Sequence, residues 1–143
     1  MKTASLEEFQ AEARRFAGTL VPSGLGARVV ALSGDLGAGK TTFVQILAKE
    51  FGVEEQVNSP TFVIEKIYKL TEKSFTHLIH IDAYRLSGAH ELETIGWHEI
   101  VSDPGNLICI EWPENVPGVL PVDTTAITLE GGGDERTITY GQA

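Results

Sequence analysis

The chain has 143 residues, a net charge of −9 and 42 % apolar residues, with 22 % charged. That composition is normal for a globular protein with a hydrophobic core of ordinary size. It disfavours two classes: no apolar run approaches the ~20 residues that cross a bilayer, and the 11 Lys and Arg form no basic cluster of the kind that grips nucleic acid directly.

The N-terminus lacks the apolar core of a secretory signal, so a cytoplasmic protein without membrane association is expected. The single cysteine, Cys109, lies in the apolar run Leu107–Ile110 and reads as a buried structural thiol. An acidic surface fits a partner protein with a basic face.

In chain order, Ser5 and Glu8 form a Ser-x-x-Glu capping box, and Leu6, Phe9, Ala13, Phe16, Ala17 and Leu20 recur at helical spacing. The pattern predicts an amphipathic helix over 5–20, ended by Pro22 and the glycines at 24 and 26. Arg28–Ser33 reads as a buried strand. A glycine-rich loop follows, then a helix over Lys40–Phe51 with Phe43, Ile46, Leu47 and Phe51 on one face and Gly52 as its stop.

Asn58–Thr61 reads as a loop. Phe62–Leu70 and Phe75–Ile81 flank a polar turn and predict an antiparallel hairpin. Ala89–Ile95 is a short helix with Ser87 as N-cap and Gly96 as stop, and Leu107–Trp112 is a buried strand. Thr125–Glu130 and Arg136–Tyr140 alternate around a glycine-rich turn and predict a second hairpin. The order of elements points to one α/β domain over 1–143, with a mixed parallel and antiparallel sheet.

Gly34-Asp35-Leu36-Gly37-Ala38-Gly39-Lys40-Thr41 matches G-x-x-x-x-G-K-[ST] in full. With glycine near ~7 % of residues, a chance match in such a chain is on the order of one in 200. The glycines let the backbone curl so that amide N–H groups converge on an anion, and the following helix adds its positive end. In such a loop the lysine, Lys40, reaches the β- and γ-phosphates, and the Thr41 hydroxyl ligates Mg²⁺.

A phosphate loop needs an acid at a neighbouring strand end to organise metal and water. Asp82 and Glu111 both end apolar strands. Asp82 looks like the Walker-B aspartate; Glu111 is a candidate for binding Mg²⁺ or orienting water, and spacing does not divide the roles. Thr61, in a Ser-Pro-Thr loop, is a candidate γ-phosphate sensor or an ordinary turn residue. Arg85 could face the phosphates or form a surface ion pair. Trp112 reads equally as an exposed stacking residue or a core tryptophan. His77 and His80 have opposite parity on their strand, so no metal-ligand set is expected of them.

No Asn-Lys-x-Asp occurs, and Asp82 is followed by Ala83-Tyr84-Arg85 rather than a glycine at the fourth position, which disfavours guanine specificity. The five arginines are scattered, giving weak support for a kinase lid. A small P-loop kinase and a nucleotide-gated binding module remain the alternatives to an ATP hydrolase.

Five blocks in order, Gly34–Thr42, Ser59–Phe62, Asp82–Leu86, Glu91-Leu92 with Gly96, and Glu111–Glu114, resemble the TsaE family, bacterial ATPases of tRNA threonylcarbamoyladenosine biosynthesis. The resemblance implies a three-layer P-loop NTPase-like fold with a mixed sheet. It implies a weak Mg²⁺-dependent ATPase working with a threonylcarbamoyl transferase and that enzyme's inactive-looking relative, and meeting tRNA only through them. It also implies that Gly37, Ala38, Gly39, Lys40, Thr41 and Thr42 hold the phosphates. Thr41 and Glu111 would bind Mg²⁺, Asp82 would be the Walker-B acid, and Thr61 a switch residue. Trp112 would belong to the rim. The purine is implied to sit between the N-terminal segment and the C-terminal hairpin, with Ser5 and Arg136 as matching positions. His98 departs from the acidic residue expected there.

Overall fold

The computed structural model describes residues 1–54, 65–71 and 74–142. Seven strands form one sheet: β1 (Lys2–Thr3), β2 (Arg28–Ser33), β3 (Glu65–Lys69), β4 (His77–Asp82), β5 (Asn106–Glu111), β6 (Thr125–Gly132) and β7 (Glu135–Gln142), in the spatial order β1-β7-β6-β2-β5-β4-β3. The four central strands, β6, β2, β5 and β4, run parallel, whereas β3, β7 and β1 pair antiparallel at the two sides. This is the mixed α/β sheet that the order of elements predicts.

Among the described residues three α-helices accompany the sheet, α1 (Leu6–Ala17), α2 (Lys40–Glu50) and α3 (Trp97–Ser102), with 3-10 helices over Ala89–Ile95 and Pro113–Asn115. Among the described residues no helix is long and apolar enough to cross a membrane. The central strands are nearly continuous apolar runs because both their faces are covered. One face sends Val30, Leu32, Leu78, Leu107, Cys109 and Ile127 against Phe9, Ala13, Phe16, Phe43, Val44 and Leu47 of α1 and α2. The other sends Val29, Ala31, Ile79, Ile81, Ile108 and Ile110 against Leu92, Trp97 and Val116. Helices on both faces of a sheet make three layers.

The helix expected over 5–20 is shorter. Thr19 and Leu20 donate to carbonyls only three residues back, Phe16 and Ala17, and the Thr19 hydroxyl also takes the Phe16 carbonyl at 2.6 Å, which tightens the end of α1. The Ser5 hydroxyl accepts from Glu8 N at 3.2 Å, as a cap should. Glu8 Oε2, however, accepts from Ala4 N rather than from Ser5 N, so the box is displaced by one residue. α2 matches its expected span to within one residue, with Phe51 as C-cap and Gly52 left-handed, but Ile46 is only partly buried.

The first hairpin is present as β3 and β4, with Tyr68 opposite Leu78; its expected start, 62–64, and turn residues 72–73 lie outside the described residues. Ser87 is not an N-cap. Gly88 holds that position, while the Ser87 hydroxyl and amide donate to the Glu91 carboxylate at 2.9 and 3.3 Å. Gly96 does stop the 3-10 helix, at φ 78°, and the same residue starts α3, which the sequence reading omits. The second hairpin is longer than expected: the strands pair through Gly131↔Arg136 and Gly132↔Glu135, leaving a two-residue turn. Cys109 is buried and free, and burial pushes its thiol up to about 12, with the nearby Glu111 charge adding to the effect.

The N-terminal segment is tied to this hairpin. Met1 and Ile138 exchange backbone hydrogen bonds, and Thr3 pairs with Arg136. Behind them Tyr140 stacks on Phe16 at 5.3 Å and donates its hydroxyl to buried Glu12 at 2.5 Å; Arg15 grips the same carboxylate with two bonds of 2.7 and 2.8 Å. These contacts fasten α1 and β7 to the same side of the molecule.

Candidate functional site

The glycine-rich loop joins the end of β2 to the start of α2. Its first glycine is required: Gly34 has φ 148°, and a Cβ there would lie 2.4 Å from the Leu129 carbonyl of β6. Gly39, at φ 106°, is the N-cap of α2 and makes no side-chain cap. The first turn of α2 holds no acidic residue, so its positive end and amide donors face the loop without an internal counter-charge.

Lys40 is 5 % exposed. Its ammonium donates to the carbonyls of Gly34 and of Asp35, the latter at 3.0 Å, and lies 4.2 Å from the centroid of the Trp112 ring. Trp112 itself is half-buried and left-handed at φ 59°, the one non-glycine residue with positive φ among the described residues, and its ring meets Tyr84 at 5.0 Å. Thus neither expected reading of Trp112 is complete: it packs at one side on the core and at the other forms the wall beside Lys40.

Thr41 follows on the first turn of α2. Its hydroxyl lies 3.1 and 3.3 Å from the two oxygens of Glu111. Glu111 is 3 % exposed and ends β5. Asp82 stands opposite it in the parallel pairing, so both acids project to the face that α2 covers. Asp82 Oδ1 accepts from Tyr84 N at 3.0 Å in the turn after β4. Sequence spacing does not divide the two acids; in the structure Glu111 is the one beside the loop threonine.

Of the remaining expected positions, Thr42 and Arg136 lie at the loop. Thr42 sits beside Thr41 in α2. A Cβ at Gly39 would lie 3.6 Å from Arg136 Nε and 3.2 Å from the Phe9 ring, so the hairpin and α1 both border the loop. Arg136 also donates to the Gly133 and Glu135 carbonyls at 2.5 and 3.1 Å. Ser5 caps α1, two residues after the Thr3–Arg136 pair. Gly37 and Ala38 lie in the loop, and Ala38 N closes a turn on the Asp35 carbonyl at 3.0 Å. Arg85 is exposed. Thr61 and its Ser-Pro-Thr loop lie outside the described residues.

Two features escape the sequence reading. A cleft of about 420 Å³ opens along the loop between Ser33–Asp35, Trp112 and Thr128–Gly131; the β6 contribution comes from a strand 90 residues downstream and leaves no local signal. The second is His80, whose ring reaches Glu111. Sequence parity places it opposite His77, and His77 does point away, to Thr76 Oγ1 at 3.1 Å.

The donor set suits a metal–nucleotide. A lysine and an uncapped helix start meet the needs of phosphate oxygens, and a hydroxyl beside a carboxylate offers hard oxygen ligands to Mg²⁺.

Comparison with known proteins gives the family. Residues 3–138 match the family described as threonylcarbamoyl adenosine biosynthesis protein TsaE. Proteins called tRNA threonylcarbamoyladenosine biosynthesis protein TsaE are similar in sequence. The one from Bacillus subtilis is 37 % identical over 141 residues, 97 % of this chain and 82 % of its own. The one from Borreliella burgdorferi is 38 % identical over 112 residues, 78 % and 79 % of the two chains. The crystal structure of Bacillus subtilis YdiB superposes with a TM-score of 0.74 at 31 % identity, covering 98 % of this chain and 82 % of that one. The chain belongs to the TsaE family.

Proposed function

We propose that this protein, as one domain over 1–143, is a cytoplasmic Mg²⁺-dependent ATP hydrolase. It acts with a threonylcarbamoyl transferase and that enzyme's inactive-looking relative in the threonylcarbamoyladenosine modification of tRNA, and meets tRNA only through them. The observation that carries the hydrolase reading is the meeting of Thr41 and Glu111 beside Lys40 at the start of α2. The pathway reading rests on family membership.

In this reading Gly37, Ala38, Gly39, Lys40, Thr41 and Thr42 hold the phosphates of ATP. Lys40 leaves the Gly34 and Asp35 carbonyls for the β/γ-phosphate oxygens. There its charge and the loop amides favour the transferring phosphoryl group over the ground state. Thr41 and Glu111 hold Mg²⁺, which when bound neutralises phosphate charge and favours in-line attack. Asp82, anchored on Tyr84 N, completes the acidic end of the site, Thr61 senses the γ-phosphate, and Ser5 and Arg136 border the purine.

Single-turnover reaction with γ-labelled Mg-ATP, in the presence of the transferase pair, tests the chemistry. Label recovered as inorganic phosphate, and absent with Lys40→Ala, supports hydrolysis. Label on another acceptor would make the protein a kinase; ATP bound without label release would make it a nucleotide-gated binding module.

A further inference from the structure

Among the described residues, His80 is the buried titratable side chain that touches the site and is left without a task. It is fully buried in β4, and its Nε2 lies 2.5 Å from Glu111 Oε2. His80 pairs in register with Cys109, two residues before Glu111, so the imidazole and the carboxylate lie diagonally on the same face. The same Oε2 accepts from the Thr41 hydroxyl at 3.1 Å. His80, Glu111 and Thr41 therefore form a line from the sheet interior to the first turn of α2.

The second ring nitrogen sets the direction of this line. Nδ1 is buried and has no hydrogen-bond partner among the described residues. A proton there would be an orphaned buried donor, so the ring carries its proton on Nε2 and donates it to Glu111. A buried carboxylate needs such a donor. It also needs one orientation: a free carboxylate at a strand end samples several rotamers, whereas with Oε2 fixed by His80 both oxygens stay beside the Thr41 hydroxyl, Oε2 at 3.1 Å and Oε1 at 3.3 Å.

We propose that His80 is the positioning residue of the metal site, fixing the Glu111 carboxylate in the orientation that completes Mg²⁺ binding with Thr41. This rests on the reading of the Gly34–Thr41 loop as a Mg²⁺–nucleotide site. Groups that orient a ligand from behind typically govern metal affinity by ~10–100-fold.

The test is the ratio of ATP dissociation constants in EDTA and in saturating Mg²⁺, measured by calorimetry on the full chain. His80→Phe keeps the ring shape and removes the donor; His80→Gln carries an amide donor at the reach of Nε2. The expected result is equal affinity in EDTA for all three proteins. The Mg²⁺ gain should be lost by ~10–100-fold in the Phe variant and kept within about threefold in the Gln variant. A Phe variant with the wild-type gain, or a Gln variant that loses as much as Phe, overturns the proposal. If His80→Phe does not fold, His80→Asn, whose amide is too short, takes its place on the same readout. A wild type with no Mg²⁺ gain would instead sink the metal–nucleotide reading itself, and the role of His80 with it.

Discussion

Thr41 and Glu111 are 70 residues apart in the chain, yet the threonine hydroxyl donates to the carboxylate at 3.1 Å across the end of the sheet. The contact exists because β2 and β5 are parallel neighbours in register, Leu32 opposite Glu111, and α2 starts just beyond β2. If this pair holds Mg²⁺, Glu111→Gln keeps the hydrogen bond but weakens the ligand. Phosphate release from Mg-ATP should fall by about 100-fold while ATP affinity in EDTA changes little, as steady-state turnover and calorimetry would show.

Lys40 and Trp112 supply an internal reporter. The ammonium sits 4.2 Å over the indole and must leave it to reach a phosphate. Trp112 emission should therefore change on adding Mg-ATP, and the change should be absent in Lys40→Ala. The other tryptophan, Trp97, is buried among apolar side chains on the face of the sheet away from α1 and α2 and should stay silent, so Trp112→Phe removes the signal.

Gly34 and Gly37 separate space from backbone conformation. Gly34→Ala meets the Leu129 carbonyl at 2.4 Å in addition to an unfavourable φ, whereas Gly37, at φ 83°, has open space around it. Gly37→Ala should cost ~1–3 kcal/mol from strain alone, and Gly34→Ala should cost more, through displacement of β6. Urea midpoints at constant m-value check the order.

Glu12 ties stability to pH at the acid end. The Arg15 hydrogen bonds hold its carboxyl below the usual range, against an opposing push from burial, and Tyr140 adds a further bond. A depressed folded value stabilises above the unfolded value of about 4.5 and is lost as pH falls through the folded one. Glu12→Gln should lower stability at pH 7 by ~1–3 kcal/mol, and its deficit should shrink below pH 4.5. Tyr140 acts at the other end: burial, then Glu12, raises its phenol, so its contribution is complete below pH 10 and fades as pH rises through the folded value. Thermal unfolding across pH, with Tyr140→Phe beside Glu12→Gln, reads both.

Much of the fold is legible because its signals are local. The runs at Arg28–Ser33 and Leu107–Ile110 announce covered strands, and the Gly34–Thr41 spacing announces the loop between strand and helix. The failures are equally physical. α3 is only six residues long and begins at a glycine that also ends the preceding helix, so Trp97, Ile100 and Val101 have too few turns to show a period. The extension of β6 and β7 through Gly131 and Gly132 depends on ladder partners across the turn, which override the weak strand propensity of glycine. In the site, Lys40 and Thr41 follow from the motif. That Glu111 rather than Asp82 meets Thr41, and that His80 meets Glu111, depends on strand order and register, β5 lying between β2 and β4, which no local pattern encodes.

A partner-coupled ATPase is tested by phosphate release from Mg-ATP by the purified protein, alone and with the threonylcarbamoyl transferase pair. The expected result is slow release alone, a rise on adding the pair, and loss in Lys40→Ala by on the order of 10²–10³-fold. Release that ignores the pair, or none even in its presence, would contradict it.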